Sequence, residues 1–417
     1  MTKALIVGGG PAGMIAAIAA AEEGASVMLL ERNEKLGKKL YITGKGRCNI
    51  TNDCDREAFF SSVPRNPRFL YSAYSRFNPQ DLMATMQRLG VPMTVERGNR
   101  VFPASQKASD VTRALTQRMQ QLGVEIRLNT RVSSLVLNGE RVCGVRDEAG
   151  KLYPADCVVI ATGGLAYPLT GSTGDGYELA RQAGHQVTAT CPSLIPLETC
   201  DPWVPSLQGL SLKNVRLTAR LRKKTLFSGL GEMMFTHYGI TGPLVLTLSA
   251  LLPQDGMETA AVTLDLKPGL TEEQLKQRIQ REFDAHGSRQ LAGALAELLP
   301  RRLLEAVLEA AGLAPDLSIH HLSRQQRETL LSSFKALPIH LKGRRGFDEA
   351  VVTRGGVDVR EIDPKTMQSR KAEGLYFAGE VLDVDGFTGG FNLQIAFSTG
   401  YSAGKALKPC TNDGAPV

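Results

Sequence analysis

The hydrophobic pattern at the start of the chain predicts a strand, a tight turn, a helix and a second strand. Residues 4–7 are apolar, residues 14–23 form an alanine-rich stretch that Gly24 ends, and residues 26–31 form another mainly apolar run. Short apolar strands that are joined by a helix are typical of a parallel sheet with helices on its faces. The first thirty residues therefore predict a βαβ unit.

Two further apolar strands are predicted much later in the chain, at residues 157–161 and 375–378. Between them, from about residue 190, prolines and alternating polar and apolar positions predict antiparallel strands. Residues 270–334 then have the periodicity of several helices. An α/β domain is therefore interrupted by a segment of different character.

The chain of 417 residues is long enough for two or three domains. Residues 1–190 and 340–417 are predicted to form a discontinuous α/β domain, and residues 191–339 an inserted domain. Residues after Lys408 have no predicted element and form a tail.

The composition excludes several classes of protein. Hydrophobic residues make up 42% and charged residues 22% of the chain, which rules out wholesale disorder. The longest apolar run, residues 14–21, is far shorter than the ~20 residues of a membrane span, and Gly8–Gly10 interrupt any secretory signal. Seven cysteines without a Cys-x-x-Cys pair argue against a disulfide framework and a zinc site. We expect a cytoplasmic protein with no metal and no membrane contact.

Basic residues are concentrated in two clusters, at residues 213–224 and 342–345, in a chain with a formal net charge of +7. Such clusters are usually solvated surfaces, and the alternative is attraction of an anionic partner such as a nucleotide, an acidic substrate or RNA. We expect a small-molecule substrate, and nucleic acid is the less favoured partner.

The glycine-rich turn carries a dinucleotide-binding pattern. Gly8, Gly10 and Gly13 have the spacing G-x-G-x-x-G between a predicted strand and a predicted helix, and Glu31 closes the next strand. In this arrangement the glycines allow the turn, the approach of a pyrophosphate and close helix–strand packing, while the acidic residue binds ribose hydroxyls. The amino end of the helix also favours phosphate.

The C-terminal region favours FAD over NAD as the bound nucleotide. Asp383 follows the strand at residues 375–378, and Gly389–Gly390 open a helix. We expect Asp383 to bind the ribityl chain or phosphate waters, and the Gly389–Gly390 amides to point at the flavin pyrimidine ring. A second G-x-G-x-x-G with the right spacing after a strand is absent from the sequence, so the chain has no separate NADH domain.

Several longer motifs resemble a known family. GKGRCN at residues 44–49, ATGG at residues 161–164, FTHYGITGP at residues 235–243, TRGGV at residues 353–357 and GEVLD at residues 379–383 are the matching strings. The chain resembles the bacterial FAD-dependent oxidoreductases that include YhiN, the aminoacetone oxidases and the bile-acid reductase BaiN, over nearly its whole length.

The resemblance implies a two-dinucleotide-binding, glutathione-reductase-type FAD domain. The inserted domain would combine a β-barrel part at about residues 191–269 with a helical part at about residues 270–339. The resemblance also implies that the GKGRCN loop lies along the FAD pyrophosphate and flavin, and that the backbone at Val132 meets the adenine. FAD would be held noncovalently, because no flavin-linking motif is recognisable.

The residues expected along FAD are Gly8, Gly10, Ala12, Gly13, Glu31, Arg32, Lys39, Leu40, Thr43, Gly44, Gly46, Arg47, Cys48, Asn49, Val132, Ala161, Thr162, Gly163, Gly379, Glu380, Asp383, Gly389, Gly390, Phe391, Asn392 and Leu393. Lys39 and Arg47 would offset phosphate charge. A redox role for the Cys48 thiol is the alternative to a packed or flavin-contacting role.

His237 and Tyr238 are the candidate catalytic residues, because reduction of a double bond needs a proton as well as a hydride. They lie in the inserted domain, where we expect substrate to meet the flavin. The alternative is that their segment only ties the insert to the FAD domain.

Three functions remain open at this point. The first is NAD(P)H-driven reduction of an activated C=C bond in a small apolar, steroid- or bile-acid-like substrate. The second is an oxygen-using amine oxidase of the aminoacetone type, and the third is an RNA-binding flavoprotein. No motif identifies the substrate.

Overall fold

The computed structural model describes residues 1–286 and 289–407, and the expected C-terminal tail lies outside this range. The chain divides into two compact units. The first consists of residues 1–193 and the chain from Phe347 onward, and the second of Leu194–Gly346.

The strands of the described residues are β1 (Lys3–Val7), β2 (Ser26–Leu30), β3 (Thr51–Asn52), β4 (Met93–Glu96), β5 (Arg100–Pro103), β6 (Glu125–Arg127), β7 (Val132–Asn138), β8 (Arg141–Asp147), β9 (Leu152–Pro154), β10 (Cys157–Ile160), β11 (Cys191–Ser193), β12 (Leu197–Thr199), β13 (Ser211–Leu221), β14 (Lys224–Phe235), β15 (Gly239–Thr241), β16 (Ala261–Asp265), β17 (Leu337–Ile339), β18 (Leu341–Arg344), β19 (Val352–Arg354) and β20 (Leu375–Phe377).

The α-helices of the same residues are α1 (Pro11–Glu22), α2 (Lys38–Ile42), α3 (Arg56–Ser61), α4 (Tyr71–Arg76), α5 (Pro79–Arg88), α6 (Ala108–Gln121), α7 (Asp175–Gln182), α8 (Pro243–Leu251), α9 (Glu272–Ala285), α10 (Leu291–Ala294), α11 (Arg301–Ala310), α12 (Arg324–Lys335) and α13 (Phe391–Ala406). None of the helices in the described part of the chain is long and apolar enough to cross a membrane.

A parallel five-stranded sheet organises the first unit, with the strand order β20-β10-β1-β2-β6. All four residues of β10 and all three of β20 are buried, which explains their uninterrupted apolar sequences. This is the Rossmann-type sheet that the first βαβ unit predicts. Two three-stranded antiparallel sheets, β3-β5-β4 and β7-β8-β9, complete the unit together with the pair β11-β19.

Helix α1 is buried on nearly all sides because α13 packs against it. A Cβ added at Gly400 or at Gly404 would lie closer than 3.0 Å to a backbone oxygen of α1, so only glycine permits this approach. The close packing fixes α1, and with it the glycine-rich turn that precedes it.

The second unit is built on an antiparallel sheet with the order β17-β16-β13-β14-β15-β12-β18. Its two terminal strands are separated in the chain only by His340, so one segment pairs with β16 through its first half and with β12 through its second half. The first and last strands of the sheet therefore belong to one continuous segment of chain, as a small closed barrel requires. Helices α9 to α12 follow β16 and share an apolar core with the sheet.

Candidate functional site

A deep pocket lies at the carboxyl ends of the parallel strands in the first unit. Val7, Leu30, Ala161 and Gly379, which end or follow four of these strands, are among its lining residues. Open α/β sheets bind their ligands at this edge. The pocket is therefore the candidate cofactor site.

Sixteen of the sequence-predicted residues line this pocket: Gly8, Gly10, Ala12, Glu31, Arg32, Lys39, Leu40, Thr43, Val132, Ala161, Thr162, Gly163, Gly379, Glu380, Asn392 and Leu393. The other ten are outside the lining: Gly13, Gly44, Gly46, Arg47, Cys48, Asn49, Asp383, Gly389, Gly390 and Phe391. Most of this second group belongs to the GKGRCN loop and to the turn before α13.

The three glycines of the turn have different physical roles. Gly8 has a φ of 107°, and a Cβ there would lie 2.5 Å from the carbonyl oxygen of Ala161. A Cβ at Gly13 would lie closer than 3.0 Å to the carbonyl oxygen of Gly8. A Cβ at Gly10 would meet nothing within 4 Å, and Gly10 lines the pocket. Gly8 and Gly13 are therefore required by packing, whereas Gly10 leaves open space for a ligand.

The amino end of α1 is available to an anion. Its N-cap, Gly10, offers no side chain to cap the helix, and Pro11 occupies the first turn. The unpaired amides and the positive end of the helix dipole at such a position favour phosphate. Pro11 also lines the pocket, so this helix end forms part of its wall.

Glu31 is held in a fixed orientation at the end of β2. Its side chain is buried, and Oε2 accepts a hydrogen bond from the Gly9 amide at 2.6 Å. Oε1 accepts from the backbone amide and the side-chain amide of Asn33, at 2.8 and 2.7 Å. Oε1 already accepts two hydrogen bonds and Oε2 only one, so Oε2 keeps acceptor capacity for a ribose hydroxyl. Asn33, which the sequence reasoning missed, is thus a positioning residue for Glu31.

Replacing Glu31 by alanine is expected to weaken FAD binding by about 1–3 kcal/mol, because ribose hydroxyls lose a buried acceptor. The Kd for FAD should rise by roughly 5- to 150-fold, which flavin fluorescence measures on titration of the apoprotein. Glu34→Ala is the matched control, since Glu34 is exposed and pairs only with Lys38 four residues later. Equal FAD affinity in the two variants would remove the ribose role of Glu31.

An ion pair between Lys39 of α2 and Glu380, which follows β20, belongs to the pocket wall. Lys39 Nζ lies 2.6 Å from Glu380 Oε2, and Glu380 Oε1 accepts the Thr353 amide at 2.9 Å. Lys39 was expected to offset phosphate charge. Lys39 lines the pocket, but the Glu380 carboxylate already neutralises much of its charge.

The GKGRCN loop is folded onto other parts of the first unit. Arg47 pairs with Glu96 at 2.9 Å, donates to Gln106 and stacks on the Phe102 ring, with its guanidinium carbon 4.2 Å from the centroid. Arg47 lies outside the pocket lining and a tertiary ion pair holds its guanidinium, so its role in offsetting phosphate charge stays a prediction.

Cys48 is completely buried in the same loop, with a left-handed backbone (φ 61°). Burial raises the pKa of its thiol to about 12. A reactive thiol needs a substantial thiolate fraction near neutral pH. The packed role for Cys48 is therefore the better supported one.

The turn before α13 is fixed by its neighbours. A Cβ at Gly390 would lie closer than 3.0 Å to the backbone of Thr51, and Asn52 Nδ2 donates to the Gly389 carbonyl at 2.9 Å. With the Asn49 amide oriented to satisfy both of its ends, Asn49 Oδ1 accepts the Gly390 N–H at 3.1 Å. The Gly390 amide, which was expected to point at the flavin, thus has a protein partner. Further along, Asn392 and Leu393 of α13 do line the pocket.

Asp175 joins two arginines beside the pocket, and the sequence reasoning missed it. Arg32 lies 3.0 Å and Arg131 2.8 Å from its carboxylate. Burial acts to raise the pKa of Asp175, but the two guanidiniums outweigh burial and hold it below its usual value. Asp175 therefore carries a negative charge that orients Arg32 and Arg131.

Three buried hydroxyls in the described part of the first unit, those of Thr162, Tyr177 and Ser402, have no hydrogen-bond partner. Thr162 Oγ1 is buried without a hydrogen bond and belongs to a residue of the pocket wall. Tyr177 OH is also buried and unpartnered, and burial raises its pKa strongly. Asp383 is outside the pocket lining, and burial raises the pKa of its carboxyl. Of these groups, only Thr162 is placed to donate to a ligand in the pocket.

His237 and Tyr238 lie in the second unit, in the turn between β14 and β15. Their rings are nearly perpendicular with centroids 4.9 Å apart, and the Arg345 guanidinium carbon lies 4.5 Å from the Tyr238 centroid. His237 is exposed. Thr236 and Gly239 close the turn with hydrogen bonds of 2.8 and 3.0 Å, so the backbone on both sides of His237 and Tyr238 is held in place.

The pocket, the glycine-rich turn and the fixed carboxylate describe a nucleotide-binding fold, and the family can be named from comparison. Residues 2–406 match the HI0933-like protein Rossmann domain. The chain belongs to the HI0933-like family. The resemblance stated from the GKGRCN and FTHYGITGP strings is confirmed, and this HI0933-like protein is a FAD-dependent oxidoreductase.

Two relatives and one solved structure are similar to this HI0933-like protein. A 3-dehydro-bile acid delta(4,6)-reductase of Clostridium scindens is 33% identical, over 97% of this chain and 99% of the relative. A ribosomal RNA dihydrouridine synthase of Escherichia coli is 32% identical, over 97% of both chains. A quinol-fumarate reductase with menaquinol is similar in structure at 16% identity and a TM-score of 0.50, over 100% of this chain and 72% of the other. The structural similarity supports the fold alone.

FAD fits the residues that are present. The open space at Gly10, the uncapped end of α1 and the unpartnered Thr162 hydroxyl are the features that a bound nucleotide would use. The Glu31 carboxylate completes this set, because its Oε2 atom retains acceptor capacity.

Proposed function

We propose that the protein reduces a C=C bond conjugated to a carbonyl group, with FAD as bound cofactor and NADH or NADPH as the transient electron donor. The observation that carries the proposal is the near full-length similarity to a 3-dehydro-bile acid delta(4,6)-reductase. The name of this relative describes the reduction of double bonds in a substrate with a 3-oxo group. A small apolar, steroid-like molecule is thus the first candidate substrate.

A second candidate substrate is a uracil base in RNA. Two relatives at 32% identity are named ribosomal RNA dihydrouridine synthase, and dihydrouridine differs from uridine by two hydrogens across one C=C bond next to a carbonyl. The two names therefore describe one reaction type on different substrates. They favour a reductase over the oxygen-using amine oxidase.

The first unit would hold the cofactor through groups already in place. The amino end of α1 and Gly10 would bind the pyrophosphate, and Glu31, positioned by Asn33, would accept hydrogen bonds from the ribose. When bound, FAD supplies the hydride-transfer chemistry that protein side chains lack. The apolar residues of the pocket wall, such as Leu40, Ala161 and Val352, would exclude water from it.

The proton is the part of the reaction that the chain itself must supply. His237 Nε2 and Tyr238 Oη are the candidate donors, because both groups carry a transferable proton and the turn fixes their backbone. The architecture that we propose is a discontinuous FAD domain with a barrel and helical insert. The sequence-based bounds of the insert, residues 191–339, move to 194–346, because β18 belongs to the sheet of the second unit.

The donor is tested by anaerobic addition of NADH, NADPH or aminoacetone, one at a time, to the yellow holoprotein. We expect loss of the flavin absorbance with one of the two pyridine nucleotides and no loss with the amine. Bleaching by aminoacetone, with none by NADH or NADPH, would establish the oxidase alternative instead.

A further inference from the structure

The two basic clusters of the sequence differ in the contacts that their side chains make in the second unit. Arg344 donates to the carbonyl oxygens of Leu252 and Pro253, at 3.0 and 2.8 Å, and Arg345 pairs with Glu198 at 3.0 Å. In the cluster at residues 342–345, the side chains of Arg344 and Arg345 therefore stabilise the fold of the second unit.

The other cluster lies on the β13–β14 hairpin and is exposed. Its members are Lys213, Arg216, Arg220, Arg222, Lys223 and Lys224, which are all exposed and have no ion-pair partner among residues 1–286 and 289–407. Residues 211–232 contain six basic residues and one acidic residue, Glu232, so the hairpin carries +5 of the formal net charge of +7. We call these six side chains the hairpin basic face.

The strand geometry arranges this face as a row of charges. On β13 the buried residues Val215, Leu217 and Ala219 alternate with outward-facing positions, which include Arg216 and Arg220. Outward positions on one strand repeat about every 7 Å. Thr218 occupies the outward position between Arg216 and Arg220, so these two cations lie about 13 Å apart along β13. Unpaired cations spread along a strand in this way match an extended polyanion better than a single small anion.

The turn of the hairpin contains a strained cation. Arg222 has a φ of 54°, a left-handed conformation that glycine or asparagine adopts at lower cost. The two-residue turn between Leu221 and Lys224 consists of Arg222 and Lys223. A cation therefore occupies a position where the backbone favours glycine, so glycine can replace Arg222 without backbone strain.

We propose that the hairpin basic face docks the phosphate backbone of an RNA. The inference rests on the proposed function for its chemistry, and it selects the RNA substrate class from the two candidates. RNA is favoured over a membrane surface because the hairpin exposes only one large apolar side chain, Leu230 (60% exposed), and interfacial binding needs several. Exposed Leu230, opposite Arg216 on the neighbouring strand, adds an apolar contact for a sugar or base.

The test measures binding of the full-length holoprotein to a synthetic RNA stem-loop with uridines in its loop, by fluorescence anisotropy over a series of KCl concentrations. With six phosphate contacts, log K should fall with log [KCl] with a slope of about −4. The tip variant R222Q/K223Q/K224Q should reduce the slope to about −2 and weaken binding at low salt by roughly tenfold or more. Flavin content and melting temperature report on the fold.

Two controls keep the outcome specific. K276Q/R281Q/R289Q removes three exposed charges from the helical part of the same unit and should leave RNA affinity near that of the wild type. R222G should not lower the melting temperature, since glycine suits the left-handed position, yet it should reduce the slope by about 0.7. An unchanged slope in R222G would count against the proposal.

The remaining outcomes overturn the inference. They are no RNA binding by the wild type at low salt, an equal loss in the control triple variant, or tighter binding to phosphatidylglycerol-containing vesicles than to RNA. Reduction of a small conjugated enone is measured on the same preparation. Enone reduction without RNA binding refutes the docking surface alone, whereas RNA binding without any C=C reduction refutes the proposed function alone.

Discussion

Gly13→Ala is expected to yield a destabilised protein that contains no FAD. The added Cβ would lie closer than 3.0 Å to the carbonyl oxygen of Gly8, which is backbone and cannot move without opening the turn. Overpacking of this kind costs about 1–3 kcal/mol of unfolding free energy or more, and it displaces the amino end of α1. The melting temperature and the flavin absorbance per protein chain measure both effects.

Gly10→Ala is the matched control for this prediction. Gly10 has a φ of −77° and ψ of −177°, which alanine adopts freely, and its Cβ would meet nothing within 4 Å. The apoprotein of the variant should therefore keep its melting temperature while FAD binding weakens, since the methyl group projects into the pocket. Equal melting temperatures in Gly13→Ala and Gly10→Ala would show that the tight packing at Gly13 does not govern the turn.

His237→Ala is expected to slow substrate reduction by ~10²-fold, the usual contribution of a positioned proton donor. FAD content and the rate of bleaching by NADH or NADPH should stay unchanged, because neither needs a proton from this imidazole. His320→Ala removes another exposed histidine of the same unit and should have no effect. Parallel losses of FAD and turnover in His237→Ala would make His237 structural, and full turnover would direct attention to Tyr238.

The parts of the fold that local sequence determines were predictable. The uninterrupted apolar runs of β1, β10 and β20 indicate strands buried on both faces, and the parallel sheet confirms them. The glycine spacing likewise predicts the turn. Gly13 is required by the backbone of Gly8, five residues earlier, whereas the close contact of Gly8 with Ala161 depends on the tertiary fold.

The parts that depend on distant side chains could not be predicted. Asp175 meets Arg32 and Arg131, which lie 143 and 44 residues away in the chain. Arg47 was assigned to phosphate by its motif, but a partner 49 residues away, Glu96, holds its guanidinium. A sequence pattern shows that a charge is present, whereas the partner of that charge is chosen by the tertiary fold.

The two basic clusters are a second case in which the sequence alone could not show which charges have protein partners. Residues 213–224 and 342–345 are equivalent as patterns of charge. The structure separates them, because Arg344 and Arg345 have protein partners while the hairpin basic face projects its charges outward.

The central claim, reduction of a carbonyl-conjugated C=C bond, is tested most directly by anaerobic reoxidation of the reduced holoprotein. The protein is first bleached with a limiting amount of NADH or NADPH, and a 3-oxo-4-ene steroid or the uridine-containing stem-loop is then added without oxygen. The account predicts that the flavin absorbance returns in proportion to the acceptor added, with a product two hydrogens heavier. Recovery of the absorbance with oxygen alone, and with neither acceptor, would contradict it.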